Sequence, residues 1–191
     1  MKPDKRILIS GLGLVLLALF FFTPIGDWAT ELLNKKTLSG QSVEKIDRKF
    51  NLNDEELAVS LKGYNGTPDA NLADFRGKVV FLNFWGSWCP PCVEEMPSIQ
   101  KLYESKGDKI AVVLITMKDR PEKFVPFLQE NKYTMPIYEA NSLLPKSIIP
   151  GSFPTTYILN KKGEIVEKAV QSADWNSPEV HELIDGLLNQ N

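Results

Sequence analysis

Cysteine and histidine are almost missing from this chain, which has two cysteines, Cys89 and Cys92, and one histidine, His181, among 191 residues. Both cysteines fall inside one short motif, so none is left to staple distant parts of a fold, and a secreted disulfide framework is excluded. A structural zinc site needs four ligands, which two cysteines and a far-off histidine do not supply. Charge of one sign is equally lacking. The net charge is −2, from 22 Lys and Arg against 24 Asp and Glu, with no basic stripe along the chain. Nothing here would neutralise a phosphate backbone, and nucleic acid is set aside as a partner.

Long hydrophobic runs are absent except at the N-terminus. Lys2, Lys5 and Arg6 precede an uncharged stretch, Ile7 to Ile25, whose helical length of about 28 Å nearly matches a hydrocarbon core of about 30 Å. Positive charge before it, with Asp27 and Glu31 after it, orients the N-terminus toward the cytoplasm, and Trp28 suits the interface. No small-x-small cleavage pattern comes after Phe22, which favours a retained anchor over a cleaved signal peptide; either would export the remainder of the chain. The expected division is a cytoplasmic N-terminus over 1–6, a transmembrane anchor over 7–25, a linker over 26–56 and one domain over 57–191. A single core is the default for a remainder of roughly 130 to 160 residues.

The chain is organised around Val79 to Pro97, VVFLNFWGSWCPPCVEEMP. Its first part is apolar with little alternation, as in a strand covered on both faces, and Asn83 is the one polar interruption. Gly86 breaks the run and delivers Cys89 to the first turn of a helix, where unpaired N–H groups favour a thiolate. Cys89 is therefore the expected nucleophile. Cys92 comes one turn later on the same face, the spacing for an internal disulfide or for resolving a mixed one. Pro90 and Pro91 bring no charge and remove two amide donors, so the pair should be reducing, with a potential of about −270 mV rather than about −120 mV.

Elsewhere, Leu57, Val59 and Leu61 alternate as in a half-buried strand that opens a hairpin, and Asn71 to Phe75 reads as a short turn or helix. Ile110 to Thr116 is a buried strand, Pro121 opens a helix, Met135 to Tyr138 reads as a strand and Leu143 to Ile149 as a short helix. Tyr157 to Leu159 and Ile165 to Val170 form a hairpin across Asn160 to Gly163. Ser177 and Pro178 start a last helix with Val180, Leu183, Ile184, Leu187 and Leu188 on one face and His181 off it. Trp85 reads as core, and Trp88 as shielding the sulfur and meeting a substrate. Trp175 either covers the edge of the core or touches a client.

WGSWCPPC after FLNF, with Pro97 five residues beyond the second cysteine and Phe-Pro-Thr-Thr at 153–156, resembles the thioredoxin superfamily. Within it the chain is most similar to the membrane-tethered TlpA/ResA-like thiol:disulfide oxidoreductases, from about Leu57 onward. The resemblance implies a thioredoxin-like α/β fold, a central mixed sheet flanked by helices, with an N-terminal hairpin extension and one N-terminal transmembrane helix. It implies that Pro154 is a cis-proline facing the cysteines, and that the backbone of Phe153 turns outward to pair with an extended substrate strand. Classical thioredoxins carry a buried aspartate where Asn83 stands. Asn83 cannot titrate, so a proton acceptor for Cys92 falls to Glu95, one turn beyond it, where ResA-like proteins have a glutamate that tunes the cysteines. The plainer reading is that Glu94 and Glu95 complement the helix dipole.

The implied activity is that of an extracytoplasmic dithiol reductase with no cofactor beyond the Cys89–Cys92 disulfide and no metal. Its expected partners are a disulfide-bearing client protein, an apocytochrome c for this family, and a DsbD- or CcdA-like membrane electron donor. The alternatives are a disulfide-forming oxidase, which the uncharged Pro-Pro pair disfavours, and a copper-binding carrier, for which no histidine lies near the motif.

Overall fold

Six consecutive buried residues, Val80–Trp85, run through the middle of the sheet. The computed structural model describes residues 50–190. In chain order the strands are β1 (Phe50–Asn51), β2 (Ser60–Tyr64), β3 (Ala70–Asn71), β4 (Val80–Trp85), β5 (Ala111–Thr116), β6 (Ile137–Ala140), β7 (Thr155–Leu159) and β8 (Glu164–Val170). The helices are α1 (Asp54–Leu57), α2 (Pro90–Lys106), α3 (Pro121–Glu130) and α4 (Pro178–Leu188), with a 3-10 turn at Leu72–Phe75. One mixed sheet results, ordered β1-β8-β7-β4-β5-β6-β2-β3, in which β4 is parallel to β5 and antiparallel to β7. This is the thioredoxin-like arrangement of a central mixed sheet with helices.

Alternation along β4 sends its side chains to two cores. Phe81 and Trp85 join Met96, Ile99 and Leu102 of α2, Phe124 and Leu128 of α3, and Val180, Ile184 and Leu187 of α4. Leu82 and Phe84 join Val113, Ile115, Tyr157 and Leu159 in a second cluster, closed by Leu52, Leu57, Val59, Leu61, Leu72 and Ile148. The three longer helices thus contribute to one core, while the N-terminal extension and the irregular connection before β7 complete the other. Asn83 points toward the helical side, and pairs in register with Leu114 on β5 and Thr156 on β7.

The hairpin extension is present, β2 pairing antiparallel with β3 and, on its other side, with β6. The sheet begins earlier than Leu57, since Phe50–Asn51 pairs with β8 inside the stretch 26–56 read as linker. Leu57 closes α1 rather than starting a strand. Asn53 accepts from the Glu56 amide and Glu56 reaches back to the Asn53 amide, a local capping box that outweighs the Leu57-Val59-Leu61 alternation while still burying Leu57. The predicted helix over 143–149 does not form. Pro145 and Pro150 bracket a turn in which the Ile148 and Ile149 amides donate to the Pro145 carbonyl, and Leu143 is left exposed. The strand predicted at Met135 starts two residues later, past Pro136, which has no N–H to give a ladder. The hydrophobic stretch 7–25 lies outside the described residues, and among those described no helix is long and apolar enough to cross a membrane.

Candidate active site

Where β4 ends, Gly86 makes a turn against which the Trp88 indole packs closely. A Cβ at Gly86 would stand 2.4 Å from Trp88 Nε1. The loop is tied down at three points: the Cys89 amide donates to the Gly86 carbonyl (3.1 Å), the Ser87 amide to Asp119 Oδ2 (2.6 Å) and the Trp88 indole to the Met117 carbonyl (3.0 Å). Cys89 is thereby fixed as the N-cap of α2. Cys89 and Cys92 are joined as a disulfide, with Cα atoms 5.3 Å apart, and both are buried. Pro90 and Pro91 fill the first two helical positions, so those two have no amide to offer a thiolate.

The Phe153–Pro154 bond is cis, as the resemblance implied. The Pro154 carbonyl accepts from the Gln171 amide (3.2 Å), which anchors the segment to the end of β8. The Phe153 amide and carbonyl take no hydrogen bond within the described residues. The Phe153 ring stands edge-on to Trp88, centroids 5.5 Å apart, and Trp88 is 49% exposed. The turn next to the disulfide therefore presents an aromatic pair and an unused stretch of backbone.

Glu95, one turn beyond Cys92, is 2% exposed, while Glu94 lies outside. Its Oε1 accepts from Asn83 Nδ2 (2.8 Å), and its Oε2 from Trp175 Nε1 (2.8 Å) and the Ala173 amide (3.3 Å). Burial pushes its carboxyl up to about 7, against the pull of those three donors, which favour the ionised form. A surface charge complementing the helix dipole would not be placed so. Trp175 is buried, edge-on to Phe81 at 5.0 Å, so it belongs to the core and to Glu95 rather than to a client. His181 shares a 3.0 Å hydrogen bond with Asn176, away from the disulfide. Of the predicted site residues, the fold brings Cys89, Cys92 and Glu95 onto successive turns of one helix and sets Trp88 against Phe153. The carboxylate's shell of Asn83, Ala173 and Trp175 is not among the expectations from sequence. Only Asn83, the polar break in an apolar strand, leaves a trace there.

The chain matches the Redoxin family over residues 53–184. It is 41% identical over 109 residues to the thioredoxin-like protein YneN of Bacillus subtilis, a match covering 56% of this chain and 64% of YneN. It is 32% identical over 168 residues to the thiol-disulfide oxidoreductase ResA of Geobacillus kaustophilus, covering 86% of this chain and 87% of that one. The matched part is thus just under two thirds of the first relative and most of the second. Among solved structures it is similar to StoA of Bacillus subtilis, with 28% identity, a TM-score of 0.54, and coverage of 68% of this chain and 96% of StoA.

Proposed function

We propose that this chain, which belongs to the TlpA/ResA-like thiol-disulfide oxidoreductases of the thioredoxin superfamily, works as an extracytoplasmic dithiol reductase held to a membrane by residues 7–25. The observation that carries this reading is the Cys89–Cys92 pair at the start of α2, backed one turn on by a buried carboxyl whose proton affinity lies near neutrality.

In the reduced protein the Cys89 thiolate attacks one sulfur of a client disulfide, and the client's other sulfur leaves as a thiolate. Cys92 then gives up its proton and attacks the Cys89 sulfur. The mixed disulfide breaks, the client departs as a dithiol, and the Cys89–Cys92 disulfide is restored. Two electrons have passed to the client, and a membrane dithiol carrier of the DsbD or CcdA kind returns two to the protein. We assign Glu95 the proton that Cys92 releases, because a group with a pKa near 7 both accepts and returns a proton at working pH. Trp88 and Phe153 form the contact surface for the client, and the backbone of Phe153 and Pro154 pairs with its extended segment. No cofactor is needed beyond the two sulfurs.

An apocytochrome c, whose haem-attaching cysteines must be reduced, is the client we infer from kinship with the ResA proteins. The motif's two uncharged prolines favour reductase over oxidase. A copper carrier is disfavoured because the sequence places no histidine near the motif, His181 standing on α4. The test is a trap. Cys92→Ser leaves the mixed disulfide unresolved, so apocytochrome c should be recovered covalently bound to Cys89, and Cys89→Ser should abolish the adduct. Absence of any Cys89-linked protein would overturn the reading, and a different captured client would replace the apocytochrome.

A further inference from the structure

Asn83 Nδ2 donates both of its protons, to Glu95 Oε1 (2.8 Å) and to Thr156 Oγ1 (2.9 Å), while its Oδ1 is buried and meets no donor. An amide used on one side only is an unusual thing to bury, because an unpaired acceptor costs the full loss of its water. The arrangement also holds only while Glu95 Oε1 is an acceptor. If that oxygen carries the proton, its O–H points at an N–H, donor against donor.

The geometry points to a rotation of the Asn83 amide that tracks the proton on Glu95, making Asn83 the positioning residue of the proton-holding group. With Glu95 ionised, Nδ2 serves Glu95 and Thr156, as here. With Glu95 protonated, a half-turn about the terminal torsion brings Oδ1 to face both, accepting from the Glu95 O–H and from the Thr156 hydroxyl. Thr156 suits either state, since a hydroxyl both donates and accepts. An aspartate at 83 would compete with Glu95 for the same proton, and a leucine would serve neither state. The amide serves both without adding charge.

The surroundings leave the proton to this pair. From β4 Glu95 meets Asn83, from the loop after β8 the Ala173 amide and the Trp175 indole, and on its own helix Cys92 stands one turn before it. The buried side chains of α4 are Val180, Ile184 and Leu187, all apolar. Among the described residues the other buried carboxylate is Glu167, on β8, paired with Ile158 two residues from the Thr156–Ala169 pair. No charged side chain is among the causes that raise Glu95, so the hydrogen bonds are the available means of adjusting it. The inference rests on Glu95 being the proton group of the proposed exchange, and its test separates the two.

The experiment tracks the Asn83 side-chain amide and the Glu95 carboxyl carbon by NMR, in the full chain held in detergent micelles, from pH 5 to 9. Asn83→Leu identifies the amide signals. The amide should change with the same midpoint as the Glu95 carboxyl, its protons should lose their proximity to Thr156 below that midpoint, and Glu95→Gln should abolish the change where Glu167→Gln leaves it. In Asn83→Leu, checked as folded by near-ultraviolet dichroism, the midpoint of the pH profile for client reduction should move to about tenfold lower proton concentration, since the bond lost to the charged form is stronger than the one lost to the protonated form. An amide that keeps both contacts at pH 5, or tracks Glu167, would overturn the proposal. An amide that rotates while Glu95→Gln reduces clients at the wild-type rate would uphold it and refute the catalytic role of Glu95 instead.

Discussion

Replacing Glu95 by Gln should change how stability depends on pH more than it changes stability at any one pH. In the folded, oxidised protein the Glu95 carboxyl titrates at about 7, against 4.5 when exposed in the unfolded chain. The folded state therefore binds this proton more tightly. Its contribution is fully present below pH 4.5 and is lost as pH rises through about 7. Integrating the two titrations from pH 5 to pH 8 gives a loss of about 2.5 kcal/mol from this one group, nearly undiluted by solvent because the side chain is buried. Gln has the same shape and no titration, so the loss should be missing from the variant. The assay is urea denaturation of the oxidised wild type and variant at pH 5, 6, 7 and 8. Other carboxyls contribute equally to both proteins, and the difference between their unfolding free energies should shift by about 2.5 kcal/mol in favour of the variant across that range. Two curves that run parallel would refute the reasoning, because they would mean that Glu95 is already ionised at pH 5 or that it is not buried in solution.

The same network predicts that Trp175→Phe, which keeps an aromatic ring near Phe81 but removes the indole donor, should destabilise by about 1.5 to 3 kcal/mol at pH 8, where Glu95 is charged, and by clearly less at pH 5; equal losses would separate Trp175 from the carboxylate. Gly86→Ala should push the Trp88 indole off the Met117 carbonyl, because its Cβ would come within 2.4 Å of Trp88 Nε1. A red-shifted tryptophan emission and a higher KM for a protein client, with kcat for a small disulfide little changed, are expected. An unaltered emission spectrum would show that the loop yields without moving the indole. Redox titration against a glutathione or dithiothreitol couple should give a potential of about −270 mV, and a value above roughly −180 mV would contradict the effect assigned to Pro90 and Pro91.

What is legible in the sequence differs by kind of interaction. The buried β4, the reactive start of α2 and the proline-led starts of α3 and α4 come from periodicity and from prolines placed at first helical positions, all local signals. The stretch Leu143 to Ile149 reads as a short helix in the sequence, while the turn at Pro145 and the burial of Ile148 in the second core decide otherwise. Alternation places Leu57 in a strand, where a four-residue capping box acts more strongly. Trp175 fits two roles on sequence grounds because nothing near it in the chain names the carboxylate that it serves.

The amino-acid order alone thus determined the cysteine pair and its position at a helix start, since residues three apart on a helix share a face whatever surrounds them. The state of Glu95 could not be read that way. A glutamate in the sequence is ordinarily an exposed anion, and this one is a near-neutral acid because burial excludes water from it, against the pull of donors from Asn83, Ala173 and Trp175, 12 to 80 positions away. Desolvation and hydrogen-bond completion belong to the packed molecule, and it was the packing of the loop after β8 against α2 that decided them.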